Sequence, residues 1–69
     1  MDWNQMSYGV PDLGKPCLIR SIKGNYCVAT FELFGRIGRW VTTSNGIYDM
    51  DRITHWSYIT PPYEQYYGN

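Results

Sequence analysis

Turn-forming residues interrupt this chain repeatedly as far as Gly46, and no segment carries a convincing pattern for a long helix. The segments that remain are short and rich in β-branched and aromatic residues, which favour strands. This pattern predicts a mainly β fold, either a small twisted antiparallel sheet or a partly open barrel of three to five strands. Residues 2–9 allow one short N-terminal helical turn, or an arm that places Trp3 against the sheet. The interruptions are Pro11, Gly14, Pro16, Gly24-Asn25, Gly35, Gly38 and Asn45-Gly46.

Four segments carry the strand pattern, residues 17–22, 26–33, 39–43 and 52–59. The last of them alternates most regularly. Strand geometry then places Ile53 and His55 on one face and Trp56 on the other. Both faces carry apolar residues, so we expect this strand to be covered in part on both sides and to close the sheet.

The turns set the strand registers. A loop at Lys23-Gly24 places Cys17 opposite Thr30, and a loop at Gly24-Asn25 places it opposite Glu32. Neither register brings Cys17 opposite Cys27, so we expect two free thiols. The pair Asn45-Gly46 predicts a type I′ hairpin turn.

A chain of 69 residues makes one domain with a small core. Aromatic residues make up 17% of it, and large rings compensate for the short length. We expect the core to contain Trp3, Phe31, Trp40 and Trp56. Residues 1–60 are predicted to form a single compact β-rich domain, and residues 61–69 a Pro/Tyr-rich C-terminal arm.

The formal net charge is +0, whereas proteins that bind duplex DNA usually carry a basic surplus. No apolar stretch approaches the roughly 20 residues that a membrane span requires. The N-terminus also lacks the basic and apolar regions of a secretory signal. We therefore expect a cytoplasmic protein that does not contact a membrane.

The residues that could carry chemistry do not form a known constellation. His55 is the one imidazole, and catalysis would need a nucleophile and an orienting group beside it. Asp49 and Asp51 lack the further oxygen ligands of a calcium loop, and two cysteines with one histidine fit no zinc spacing. We expect no enzymatic activity, no metal and no cofactor.

The surplus rings indicate a binding role. Tyrosine offers a large contact area and is enriched at protein interfaces. The candidate partner-binding residues are Phe34, Arg36, Arg39, Tyr58, Tyr63, Tyr66 and Tyr67.

A second interpretation is a platform for single-stranded nucleic acid, in which bases stack on rings and phosphates contact cations. Its residues would be Lys23, Arg36 and Arg39 with Tyr26, Phe31, Phe34 and Trp40. Because the net charge is zero and the chain has few other core residues, we favour a core role for these rings.

The two ends of the chain resemble a short phage and prophage family known as domain of unknown function 551. At the N-terminal end, Trp3 is followed by Val10-Pro11, Asp12, Gly14 and Pro16, and then by the apolar strand Cys17-Leu18-Ile19. At the other end, Ile53-Thr54-His55-Trp56 precedes Pro61-Pro62, while Ser57, Tyr58 and Thr60 depart from the family pattern. The resemblance implies a viral or prophage origin and a compact β-rich domain. It brings no known activity and therefore assigns no functional residue.

Together these features predict a non-enzymatic accessory protein of the bacterial cytoplasm. It would bind a host protein, for example as an inhibitor of a host enzyme or of an anti-phage defence complex. A module for single-stranded nucleic acid is the first alternative. A self-associating structural subunit, such as a homodimer, is the second.

Overall fold

The computed structural model describes residues 2–59, which form one open sheet of six antiparallel strands. The order of strands across the sheet is β1-β6-β2-β3-β4-β5. The mainly β class is confirmed, and a two-residue N-terminal strand brings the number of strands to six. The strands are β1 (Asn4–Gln5), β2 (Cys17–Ser21), β3 (Tyr26–Phe34), β4 (Ile37–Thr42), β5 (Ile47–Asp49) and β6 (Ile53–Tyr58).

Strands β2 to β5 form a meander, in which each strand pairs with the next along the chain. A 3-10 turn, Met50–Arg52, then carries the chain back to β2, where β6 pairs along the free side of that strand. The short strand β1 pairs with the outer side of β6. The stretch expected to close the sheet therefore lies between two other strands.

Two of the three hairpins share one turn design, which differs from the predicted registers. Cys17 pairs with Ala29, so neither Thr30 nor Glu32 is its neighbour. The β2–β3 loop has three residues and ends at Gly24, whose φ is +84°. The β4–β5 loop likewise ends at Asn45, whose φ is +66°. Gly46 does not share the positive φ that a type I′ turn requires at its second position, so that prediction was wrong.

One face of the sheet, which we call the core face, carries the buried apolar side chains. The rings of Phe31 and Trp40 pack against each other on this face, with centroids 5.2 Å apart in an edge-to-face arrangement. The cysteines remain free, as expected, with Cys17 buried and Cys27 half-buried. The buried apolar residues are Cys17, Ile19, Ala29, Phe31, Trp40, Ile53 and Trp56.

A bulge in β6 corrects the predicted alternation of this strand. Arg20 pairs with His55 but Ser21 pairs with Ile53, which leaves Thr54 as an extra residue. The alternation of side chains between the two faces is therefore shifted by one residue at Thr54. Ile53 shares the core face with Trp56, and His55 lies on the opposite face.

Residues 6–16 cover the core face. Met6 packs against the core cluster, and Pro11 is buried. The backbone carbonyl of Gly9 accepts a hydrogen bond of 3.0 Å from Trp56 Nε1. Trp3 precedes this cover and is 39% exposed on the other face, so its predicted place in the core was wrong. No helix within residues 2–59 is long and apolar enough to cross a membrane.

Candidate functional site

No backbone segment within residues 2–59 crosses the second face of the sheet, although the Trp3 ring packs over one end of it. We call it the open face. Alternation along the strands places Leu18, Val28, Thr30, Val41 and Ile47 at its centre, where they are half-buried or exposed. Four of these five side chains are aliphatic. Sheets with one solvated face normally carry polar residues there, so this composition is the feature that requires an explanation.

Aromatic rings and a cation occupy one end of the open face. The Trp3 ring lies 5.8 Å from the Tyr26 ring and 6.4 Å from the His55 ring. Arg20 pairs across the strands with both Tyr26 and His55. Its Nη1 donates a hydrogen bond of 3.3 Å to Thr54 Oγ1, which in turn lies 2.9 Å from His55 Nδ1.

The other end of the open face carries a row of alternating charges. Glu32, Arg39 and Asp49 are cross-strand neighbours on β3, β4 and β5. Arg39 Nε lies 3.4 Å from Asp49 Oδ1, and the two form an ion pair without a hydrogen bond. The Arg39 guanidinium lies 5.6 Å from the centre of the Phe34 ring, which is 44% exposed. The result is an apolar centre with charge at both ends.

The predicted partner-binding residues lie in different parts of the chain and do not form one cluster among residues 2–59. Phe34 and Arg39 lie together on the open face, and Arg36 is exposed in the two-residue loop of the same hairpin. Tyr58 belongs to the core face. Its hydroxyl oxygen accepts a hydrogen bond of 2.9 Å from the Asp12 backbone N–H, and the Lys15 ammonium lies 5.1 Å from the ring centre. The remaining three, Tyr63, Tyr66 and Tyr67, lie outside the described residues.

The platform predicted for single-stranded nucleic acid is also divided. Phe31 and Trp40 are buried in the core, while Tyr26 and Phe34 are exposed on the open face. The candidate residues did not include Leu18, Val28, Val41 or Ile47. A signal for Leu18 and Val28 existed, since residues 17–19 and 27–29 are apolar at odd and even positions alike, the pattern of strands with two apolar faces.

Burial lowers the reactivity of both thiols of the described residues. Burial raises the pKa of the Cys17 thiol to about 11, against a smaller opposing effect of Lys15, and burial also raises the pKa of Cys27. Both side chains therefore stay in the weakly nucleophilic thiol form at neutral pH. Residues 2–59 contain no group of three His, Cys, Asp or Glu side chains that could hold a metal ion.

A cleft of about 450 Å³ lies between the β2–β3 loop and β5. Exposed Lys23 and Arg52 line it together with Asp49 and Tyr48, so its charges are mixed. The open face remains the most distinctive surface of this part of the chain.

Comparison with known proteins adds no relative from which a role could be carried over. No family model matches the chain, and no curated protein or solved structure matches it either.

Proposed function

We propose that this protein is a non-enzymatic binding domain and that the open face of its sheet binds a protein partner. The observation that carries the proposal is the aliphatic centre of that face, Leu18, Val28, Val41 and Ile47, left without a covering element in residues 2–59. Exposed apolar patches rimmed by polar residues mark interaction sites in soluble proteins. The charges and rings at both ends of the face supply such a rim.

The setting that we propose is a phage or prophage accessory protein in the bacterial cytoplasm. The partner would be a host enzyme or a component of an anti-phage defence complex, which the bound protein inhibits. Support for this setting comes from the resemblance of the two chain ends to the phage family described above. The binding mode rests on the open face alone and does not depend on that origin.

Matched pairs of variants test the binding surface. Ile47→Lys and Tyr26→Ala alter exposed side chains of the open face, which are 52% and 58% exposed. Leu13→Lys and Tyr8→Ala make the same chemical changes outside this face, at positions that are 53% and 86% exposed. Each protein is immobilised at full length, and proteins captured from a bacterial lysate are quantified by mass spectrometry.

We expect one stoichiometric partner to be retained by the wild type and by both control variants. The open-face variants should lose it by about tenfold or more, the loss typical of truncating an interface anchor. Equal loss in both sets would contradict the assignment of the surface. Failure of the wild type to retain any stoichiometric protein would contradict the function.

Binding of single-stranded nucleic acid is a second candidate function, favoured by the cluster of Trp3, Tyr26 and His55 beside Arg20. Rings that lie beside a cation can stack bases and neutralise phosphate. The mechanism predicts an affinity that falls steeply with salt, with a slope of about 0.7 per phosphate contact. Fluorescence anisotropy with a labelled 20-nucleotide strand at low salt measures it, with Trp3→Ala as the test and Tyr8→Ala as the control. Absence of binding at low salt eliminates this function.

A further inference from the structure

Two opposite charges on the open face have no ion-pair partner within residues 2–59. The ion pairs of this region join Lys15 to Asp12 and Arg39 to Asp49. Arg20 is half-buried, and among residues 2–59 only the Thr54 hydroxyl is a hydrogen-bonding side-chain partner for it. Glu32 is also half-buried and lies opposite Arg39, but Arg39 pairs with Asp49 instead.

These two charges lie at opposite ends of the apolar centre. Arg20 pairs with Tyr26 across β2 and β3, and Glu32 follows Tyr26 by six residues along β3. At about 3.3 Å per residue, the separation along the strands is roughly 20 Å. Across the sheet the two residues are one strand apart, or about 4.8 Å. The aliphatic side chains of the open face lie between them.

We propose that the open face binds a second copy of this chain around a two-fold axis, with Arg20 of each protomer against Glu32 of the other. A two-fold interface must be self-complementary, and a surface with a cation at one end and an anion at the other meets that requirement when the two copies run in opposite directions. The apolar centres then cover each other. This inference rests on the part of the proposed function that makes the open face a protein-binding surface, and it names a partner for that face.

The positions of the two charges also fix how the sheets would cross. For Arg20 of one copy to lie against Glu32 of the other, the two-fold axis must be perpendicular to the line that joins these two residues within one copy. An offset of about 4.8 Å over roughly 20 Å inclines that line by about 13° to the strands, so the strands of the two copies would cross at about 27°. Sheets that pack face to face cross at about 30°. The charge pairing is therefore compatible with ordinary sheet packing.

The size of the open face sets the expected affinity of the dimer. A length of roughly 20 Å across four or five strands gives a projected area of about 400 Å² per protomer. Stable interfaces bury about 800 Å² on each partner, so this dimer should be weak and in exchange with monomer. A second copy and another protein partner would exclude each other from the face. Self-association would thus keep the apolar surface covered until that partner is present.

Charge reversal provides the decisive experiment, read out by sedimentation equilibrium on full-length protein at concentrations from about 10 µM to about 1 mM. Wild type should shift from the monomer mass of 8.1 kDa toward the dimer mass as concentration rises. Arg20→Glu alone and Glu32→Arg alone each place two like-charge pairs in the interface, so each should weaken dimerisation by about tenfold or more. An equimolar mixture of the two variants restores both opposite-charge pairs and should form the heterodimer.

Arg52→Glu and Asp51→Arg serve as matched controls, because they make the same charge changes in the exposed 3-10 turn beside the sheet. Both controls should dimerise like wild type. Circular dichroism verifies that each variant is folded, and Arg20→Gln, which removes the charge without reversing it, serves if Arg20→Glu does not fold. Arg20→Gln should give an intermediate loss.

Three results overturn the inference: a wild type that stays monomeric at every concentration, single reversals that dimerise like wild type, or a mixture that stays monomeric. The first is also the result expected if residues 60–69 of the same chain occupy the face. Capture of a host protein that persists without self-association would remove this inference and leave the proposed function standing. Dimerisation of a wild type that captures no host protein would remove the proposed host partner and leave this inference standing.

Discussion

Gly38 shows how closely the core face is packed. A Cβ atom at this position would overlap the Phe31 ring, whose edge lies directly against the glycine. Gly38→Ala should therefore destabilise the protein by about 1–3 kcal/mol, the usual cost of overpacking a core. Urea unfolding measures it. Phe31→Leu removes the ring, so Gly38→Ala should cost clearly less in that background. Equal costs in both backgrounds would contradict steric overlap as the cause.

The Cys17 thiol gives the stability a defined dependence on pH. Burial raises its pKa in the folded state from 9.0 to about 11, so below pH 9 the thiol is protonated in both the folded and the unfolded states. Between pH 9 and 11 only the unfolded state loses the proton, and the free energy of unfolding should fall by at most about 1.4 kcal/mol per pH unit. Urea unfolding from pH 8 to 10.5 measures the slope. Cys17→Ala, in which the other groups still titrate, should show a shallower slope, and identical slopes would exclude the thiol as the cause.

At the level of elements, side-chain hydroxyls hold two of the hairpin turns. Thr42 Oγ1 accepts a hydrogen bond of 2.8 Å from the Gly46 N–H, and Ser21 Oγ accepts one of 3.2 Å from the Asn25 N–H. Both hydroxyl residues are buried, so loss of either would leave a backbone donor without its partner. Thr42→Val, which keeps the shape, should cost about 1–2 kcal/mol in urea unfolding. Thr43→Val changes the exposed neighbour and should cost much less, and equal costs would exclude the turn hydrogen bond as the reason.

At the level of the whole molecule, the two faces of the sheet contribute unequally to stability. Trp40 is fully buried on the core face, whereas Trp3 is 39% exposed on the open face. Trp40→Ala should cost about 3–5 kcal/mol, enough to unfold a domain of this size, and Trp3→Ala about 1–2 kcal/mol. Thermal unfolding followed by circular dichroism compares them. A Trp3→Ala variant as unstable as Trp40→Ala would contradict the assignment of the core to one face.

The sequence predicted features that depend on neighbours along the chain. The strand segments, the turn positions near Gly24 and Asn45, and the free thiols follow from local backbone preferences and short-range spacing. The type of each turn was harder to predict from the sequence than its position. In both three-residue turns a strand hydroxyl, that of Ser21 or Thr42, accepts a hydrogen bond from the backbone N–H that follows the loop.

The candidate site was predicted only in part. Phe34 and Arg39 lie on the open face, Phe34 exposed and Arg39 half-buried, whereas Tyr58 belongs to the core face because it contacts Asp12 and Lys15, which lie more than forty residues away. The placement of a cation and an anion at opposite ends of the open face was equally hidden. Arg20 and Glu32 become related only when β2 and β3 are in register.

The sequence by itself determined that this chain forms short antiparallel strands with reduced thiols, because turn residues and side-chain period act over a few neighbouring positions. Only the tertiary structure decided which face is covered. The bulge at Thr54 reverses the alternation of β6, and residues 6–16 cross one side of the sheet and leave the other bare. Whether a residue is buried depends on which segments pack over it, and for Trp3 and Trp40 those segments are distant in the chain. The binding surface proposed for this protein is the face that its own described chain leaves uncovered.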